Sequence, residues 1–138
     1  MPGIARAGVP LFISHRRLSR LKRTLPKAIA PWALDSGAFS EIAEFGCWRM
    51  SAKEYVHAVA RYDREIGMLD WVAGMDLMVE PEVLARTDGK TVRDHQRLTV
   101  ANHVELCKLW PEHSDASCPI SPTVQGYTAA EYRDCLTM

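Results

Sequence analysis

The chain has 138 residues, 17 Lys and Arg against 17 Asp and Glu, 47% hydrophobic residues and 25% charged ones. One folded domain is the expectation at this length, and no apolar run approaches the ~18–20 residues of a membrane-spanning helix. Zero net charge excludes action as a bulk polycation but leaves room for a local basic patch.

The first twenty residues pass from a short apolar piece into arginines without a small-residue cleavage site, so they do not read as a signal peptide. Val9 to Ser14 is the first apolar, β-leaning run, and Leu18, Leu21 and Leu25 after it suggest a short amphipathic helix. Trp32 to Leu34 is a second strand, stopped by the turn signal Asp35-Ser36-Gly37. Ser51 with Glu54 forms a capping box that opens a helix to about Ile66, with Val56, Val59, Ala60 and Ile66 on its buried side. Leu69 to Met75 is a third strand. Thr91 with Asp94 opens a longer helix to about Trp110, ended by Pro111, with an apolar stripe of Val100, Ala101, Val104 and Cys107. Ile120 to Val124 is the fourth strand, and Thr128 with Glu131 opens a last helix toward Met138.

The pattern is strand then helix, repeated four times, with no internal repeat or linker. Apolar residues dominate the strands rather than alternating, as in parallel strands covered on both faces. The class is therefore α/β. Four βα units make either a small open sheet or the first half of a (β/α)8 TIM-like barrel, whose usual size is ~250 residues, leaving the barrel incomplete over 1–138.

Ligands of parallel α/β folds bind beyond the C-terminal ends of the strands. That rule selects Asp35, Asp76 and the pair Gln125-Gly126, which follow strands two, three and four. Asp35 precedes a small Ser-Gly-Ala turn that lets a ligand approach the backbone. A partly desolvated carboxylate there suits general acid–base work, whereas the structural alternative is an Asp capping its own turn. Asp76 carries the same ambiguity, and the Gln125 amide offers the donors and acceptors that read a base edge. Arg16, Arg17, Arg20, Lys22 and Arg23 form a basic segment after strand one. It is either a solvated face or a holder of nucleic-acid phosphates. Cys47, Cys107, Cys118 and Cys135 lie far apart without a C-x-x-C pair, which favours free thiols in a reducing, cytoplasmic setting. His103 and Cys107 are spaced to share one helix face, but no second pair completes a metal set.

Leu34-Asp-Ser-Gly-Ala-Phe39, Val72-Ala-Gly-Met-Asp76 with Glu80-Pro81, and Thr123-Val-Gln-Gly126 resemble, in order and spacing, three strand-end segments of the tRNA-guanine transglycosylases. The variant Asp-Ser-Gly-Ala-Phe-Ser and the segment Arg93 to Asn102 look closer to the DpdA-like branch that inserts 7-deazaguanines into DNA. The resemblance implies a pentosyltransferase that exchanges guanine for a 7-deazaguanine through a covalent glycosyl intermediate, with DNA favoured over tRNA. It implies Asp35 as catalytic acid/base and Ser36, Gly37, Asp76, Gln125 and Gly126 around the base, with the basic segment on the nucleic-acid backbone. Ala38 and Ser40 depart from the tRNA enzymes' glycine and glutamine, which puts base contacts from that loop in doubt. The family's nucleophilic aspartate and its zinc-binding cysteines belong to the second half of the barrel. No cofactor or metal ligand is thus expected within this segment, and a second chain or a homodimer would complete the barrel. The alternatives are a non-catalytic nucleic-acid-binding or interaction module on the same fold, and an unrelated α/β barrel enzyme.

Overall fold

Four short parallel strands, β1 (Leu11–Ser14), β2 (Trp32–Asp35), β3 (Leu69–Ala73) and β4 (Ile120–Ser121), form one sheet in the order β1-β2-β3-β4. The computed structural model describes residues 8–113 and 118–138, so part of the stretch weighed above as a leader, residues 1–7, lies outside the described residues. Between the strands run α1 (His15–Leu18), α2 (Ala38–Phe45), α3 (Ala52–Ile66), α4 (Pro81–Leu84) and α5 (Val92–His113), and α6 (Ala129–Leu136) follows β4. The α/β class and the parallel pairing are as the sequence predicts. Among the described residues no helix is long and apolar enough to cross a membrane.

One face of the sheet carries the core. Trp32, Leu34, Leu69 and Val72 pack against Tyr55, Val56, Val59, Tyr62 and Ile66 of α3 and Leu106 of α5. Ala60, expected in that stripe, is only half-buried, and the two tyrosines fill the interface instead. Their hydroxyls are what pattern reading undervalues, and both are satisfied. The Tyr55 hydroxyl donates to the Ala73 carbonyl at 2.8 Å, and that of Tyr62 pairs with His15 Nδ1 at 3.0 Å. Both expected capping boxes, Ser51 with Glu54 and Thr128 with Glu131, are formed, and Thr91 and Asp94 bond reciprocally in the same way.

Other expectations need correction. The strands are not covered on both faces: Phe12 and Trp71 are 60% and 37% exposed on the side away from α3. Both pair in register with the small Ala33, and their rings stack over it with centroids 5.2 Å apart. The leucine segment after β1 makes a single helical turn, α1. Leu18 and Leu25 are buried but Leu21 is exposed, and the loop is held by the Arg61 guanidinium on the Leu21 and Arg23 carbonyls. Helix α5 continues through Pro111 to His113, because a proline in the last turn forfeits one backbone bond and no more.

The largest correction concerns the inward face of α5. Ala101, Val104 and Cys107 are exposed and Val100 is half-buried, whereas His95, Gln96, Thr99 and Leu106 are buried. β3 and β4 also stop at Ala73 and Ser121, short of Met75 and Val124. The two differences share a cause, since the backbone after β3 leaves the ladder and bonds to polar side chains of α5 instead.

Tyr55→Phe removes the donor on the half-buried Ala73 carbonyl with little change in packed volume. It is expected to lower the unfolding free energy by about 1 kcal/mol in urea denaturation with an unchanged slope.

Candidate active site

The C-terminal ends of β2, β3 and β4 meet at one rim. Asp35 closes β2 beside Ser14 of β1 and is half-buried. Ser36 is buried, and Gly37 caps α2 in the left-handed region with φ of 80°. A Cβ on Gly37 would lie 2.9 Å from Arg16 Cγ and 3.0 Å from Ser14 Oγ. Glycine is thus needed twice, for the backbone angle and for the Arg16 stem that crosses it toward Glu44 at 2.7 Å. This crossing brings the basic segment to the Asp35 turn through Arg16. Arg17 stands exposed on α1, and Arg20, Lys22 and Arg23 stand exposed after it.

Asp76 and Gln125 come together. Gln125 Nε2 donates to Asp76 Oδ2 at 2.5 Å, joining the ends of β3 and β4. Burial raises the Asp76 pKa above the ordinary aspartate value, and the neighbouring Asp35 and Glu80 carboxylates add to the shift. Hydrogen bonds from its own backbone and from Gln125 act against it. Asp35 therefore stands near enough to Asp76 for the two carboxylates to repel. The indole of Trp48 fixes the Asp76 backbone by donating to its carbonyl at 2.9 Å.

The polar face of α5 holds this arrangement. Thr99 Oγ1 accepts from the Leu77 amide at 2.9 Å, and Asn102 Nδ2 donates to the Met75 carbonyl at 2.8 Å. His95 Nδ1 lies 2.6 Å from the Met78 carbonyl, so that nitrogen carries the proton. The Gln96 amide donates to the carbonyls of both Gln125 and Glu131 at 2.8 Å. Met75, Leu77 and Met78 surround Asp76 in the chain, so the loop is pinned on either side of its carboxylate. None of His95, Gln96, Thr99 and Asn102 was selected as a site residue from sequence. Their spacing of four and then three from 95 to 99 to 102 is nevertheless that of one helix face, and a polar face at that spacing is the signal that could have found them.

Gly126 is buried where a Cβ would meet Tyr132 N at 2.6 Å, so the close packing of α6 already accounts for a glycine there. The Gln125 backbone N–H donates to Cys135 Sγ at 3.4 Å. His15, also missed, opens α1 directly after β1, with its ring edge-on to Tyr55. Burial lowers its pKa, and the Glu41 and Asp35 carboxylates oppose that shift. All four cysteines are free thiols, Cys118 and Cys135 buried, Cys47 and Cys107 exposed. His103 Nε2 and Cys107 Sγ do share one face at 3.5 Å, and among the described residues no group of three or more His, Cys, Asp or Glu is arranged to hold a metal.

Compared with known families, residues 2–138 match the model of DpdA, DeoxyPurine in DNA protein A. The chain belongs to the DpdA family. No curated protein and no solved structure matches it. The DpdA match runs through the Asp35 turn, the Asp76 loop, the polar face of α5 and the Gln125 loop, so it covers every segment that builds the rim.

Two outcomes follow from this geometry. Gln96→Leu leaves the Gln125 and Glu131 carbonyls without their donor, and is expected to destabilise by about 2 kcal/mol and to speed hydrogen exchange at the Gln125 amide. Asp76 holds its proton to higher pH in the folded chain than in the unfolded one. Folding stability is therefore lost as pH rises from the ordinary aspartate range through the raised value. Asp76→Asn escapes that loss, so its unfolding temperature should exceed that of the wild type at pH 7, with the gap closing toward pH 3.

Proposed function

We propose that this chain acts in deazapurine modification of DNA, as the base-recognising half of a guanine-exchanging pentosyltransferase. The observation that carries the reading is the bonded Asp76–Gln125 pair at the same strand-end rim as Asp35 in a DpdA-family chain. A guanine edge presents acceptors and donors side by side. A glutamine amide with a carboxyl group that holds its proton to raised pH can answer both.

In the proposed reaction a carboxylate attacks C1′ of the target deoxynucleotide as the bond to guanine N9 breaks. The incoming 7-deazaguanine then attacks C1′ and releases that carboxylate. Asp35 gives a proton to the departing base and takes one from the incoming base, so the two half-reactions balance. The attacking carboxylate comes from the second half of a (β/α)8 barrel, of which β1–α6 would be the first half. A further chain segment, a second chain or a second copy would supply it. The open face of the sheet, with Phe12 and Trp71 exposed, supports this placement. Ser36, Gly37 and Gly126 shape the base pocket, and Arg16, Arg17, Arg20, Lys22 and Arg23 meet the DNA backbone.

The test is exchange of labelled guanine into DNA and into tRNA by the protein joined to its completing half. Asp35→Asn is expected to lower exchange by roughly 100-fold or more, the scale of a lost general acid–base. Wild-type rates in that variant would overturn the role of Asp35. Exchange into tRNA but not DNA would overturn the substrate, and DNA binding without exchange would identify a non-catalytic module.

A further inference from the structure

A pocket opens beside the Asp35 turn. It has a volume of about 410 Å³, and its walls include Arg16, Ser19, Arg20, Ser36 and Arg49 together with the acids Glu41 and Glu54. Three arginines from two separate segments line it, and Arg49 belongs to no basic run in the sequence. The nearby acids are already committed. Glu41 accepts from the Arg49 backbone amide and Nε at 3.3 and 3.2 Å, Glu44 accepts from Arg16, and Glu54 is engaged with Ser51. Arg49 is further fixed by Phe45, whose ring centre lies 3.2 Å from its guanidinium carbon. Each arginine has five N–H donors, so most of those donors remain free of the acids, and Arg20 has no ion pair among the described residues. The Ser36 hydroxyl is fully buried with no hydrogen-bond partner, although a hydroxyl so placed ordinarily finds one.

We infer that this pocket grips one phosphodiester of the DNA strand, the one flanking the nucleotide presented to Asp35. The inference rests on the functional reading above and deepens it. Guanidinium forks and a spare hydroxyl match the several oxygens of a phosphate. Ser36 is the chain neighbour of Asp35, so a phosphate held here lies beside the proposed site of exchange, and a base turned out of the stack stays tethered to its own phosphates. Arg17, Lys22 and Arg23 lie outside the pocket and make only diffuse contacts.

The test measures binding of a single-stranded oligodeoxynucleotide with one guanine to the 138-residue chain, by fluorescence anisotropy across a salt series. The phosphodiesters are replaced one at a time by neutral methylphosphonates. One linkage next to the guanine should weaken wild-type binding when neutralised, and weaken that of Arg20→Ala by a smaller factor. Arg20→Ala and Ser36→Ala should each weaken binding roughly tenfold, as for a lost charge-assisted hydrogen bond. Arg20→Ala should also flatten the salt slope by about 0.7. Ser36→Ala should unfold no more easily than the wild type, because its hydroxyl supports nothing in the fold. Arg17→Ala should keep the single-linkage sensitivity. Wild-type affinity and slope in Arg20→Ala and Ser36→Ala, or equal sensitivity at every linkage, would overturn the pocket; persistent guanine exchange would then leave the functional reading standing. Thermal protection by inorganic phosphate without oligonucleotide binding would overturn the backbone assignment, and tighter binding of RNA of the same sequence would overturn DNA as the occupant.

Discussion

The rim depends on the Gln96 amide. A buried amide nitrogen has two hydrogens to place, and here both go to backbone carbonyls of another segment, at Gln125 and Glu131. That fixes the β4–α6 connection against α5. Thr99, Asn102 and His95 of the same helix fix the β3–α4 connection. The two strand ends that present Gln125 and Asp76 are therefore both positioned by one rigid element rather than by each other. The 2.5 Å contact between them is a consequence of that shared support. A fully satisfied buried polar network holds one geometry, whereas apolar side chains at the same positions would hold the loops without orienting them.

The same region carries the chain's departures from good packing practice. Asp76 is buried enough to resist ionisation, and the nearby Asp35 carboxylate adds to that resistance. Ser36 Oγ and His95 Nε2 are buried without partners. Such costs concentrate where a site is built, since the groups that would relieve them are those a ligand supplies. His103 Nδ1, outside the rim, is likewise buried without a partner, so the feature is not exclusive to the site. Tyr55 and Tyr62 bury whole rings and still place both hydroxyls on partners.

What could be read from sequence follows the range over which each signal acts. Capping boxes depend on residues three apart, and both were legible along with the reciprocal Thr91–Asp94 pair. The four strands were legible because short apolar runs bounded by turn residues have few other uses, and Asp35, Asp76 and Gln125 followed from strand order alone. The inward face of α5 was misread because apolar residues were assumed to face the core. Val104 and Cys107 look outward since the interior needs hydrogen-bond donors and acceptors for strand-end backbone, a demand set by residues some 20 to 30 positions away. Arg49 was illegible for the same reason. Nothing in its local sequence says that it will share a pocket with Arg16 and Arg20, which come from another turn of the fold.

The exposed face of the sheet and the site are one feature. Strand alternation puts Trp32 and Leu34 into the core and therefore Ala33 and Asp35 on the opposite face. Phe12 and Trp71 close over Ala33, which forms the layer of that face about 6.6 Å along β2 from Asp35. An apolar layer beside a carboxylate keeps water from one side of it. The other side is set by whatever covers the sheet. Under the proposed completion of the barrel, the element that covers Phe12 and Trp71 would also enclose the Asp35 carboxylate, the group proposed to move the proton.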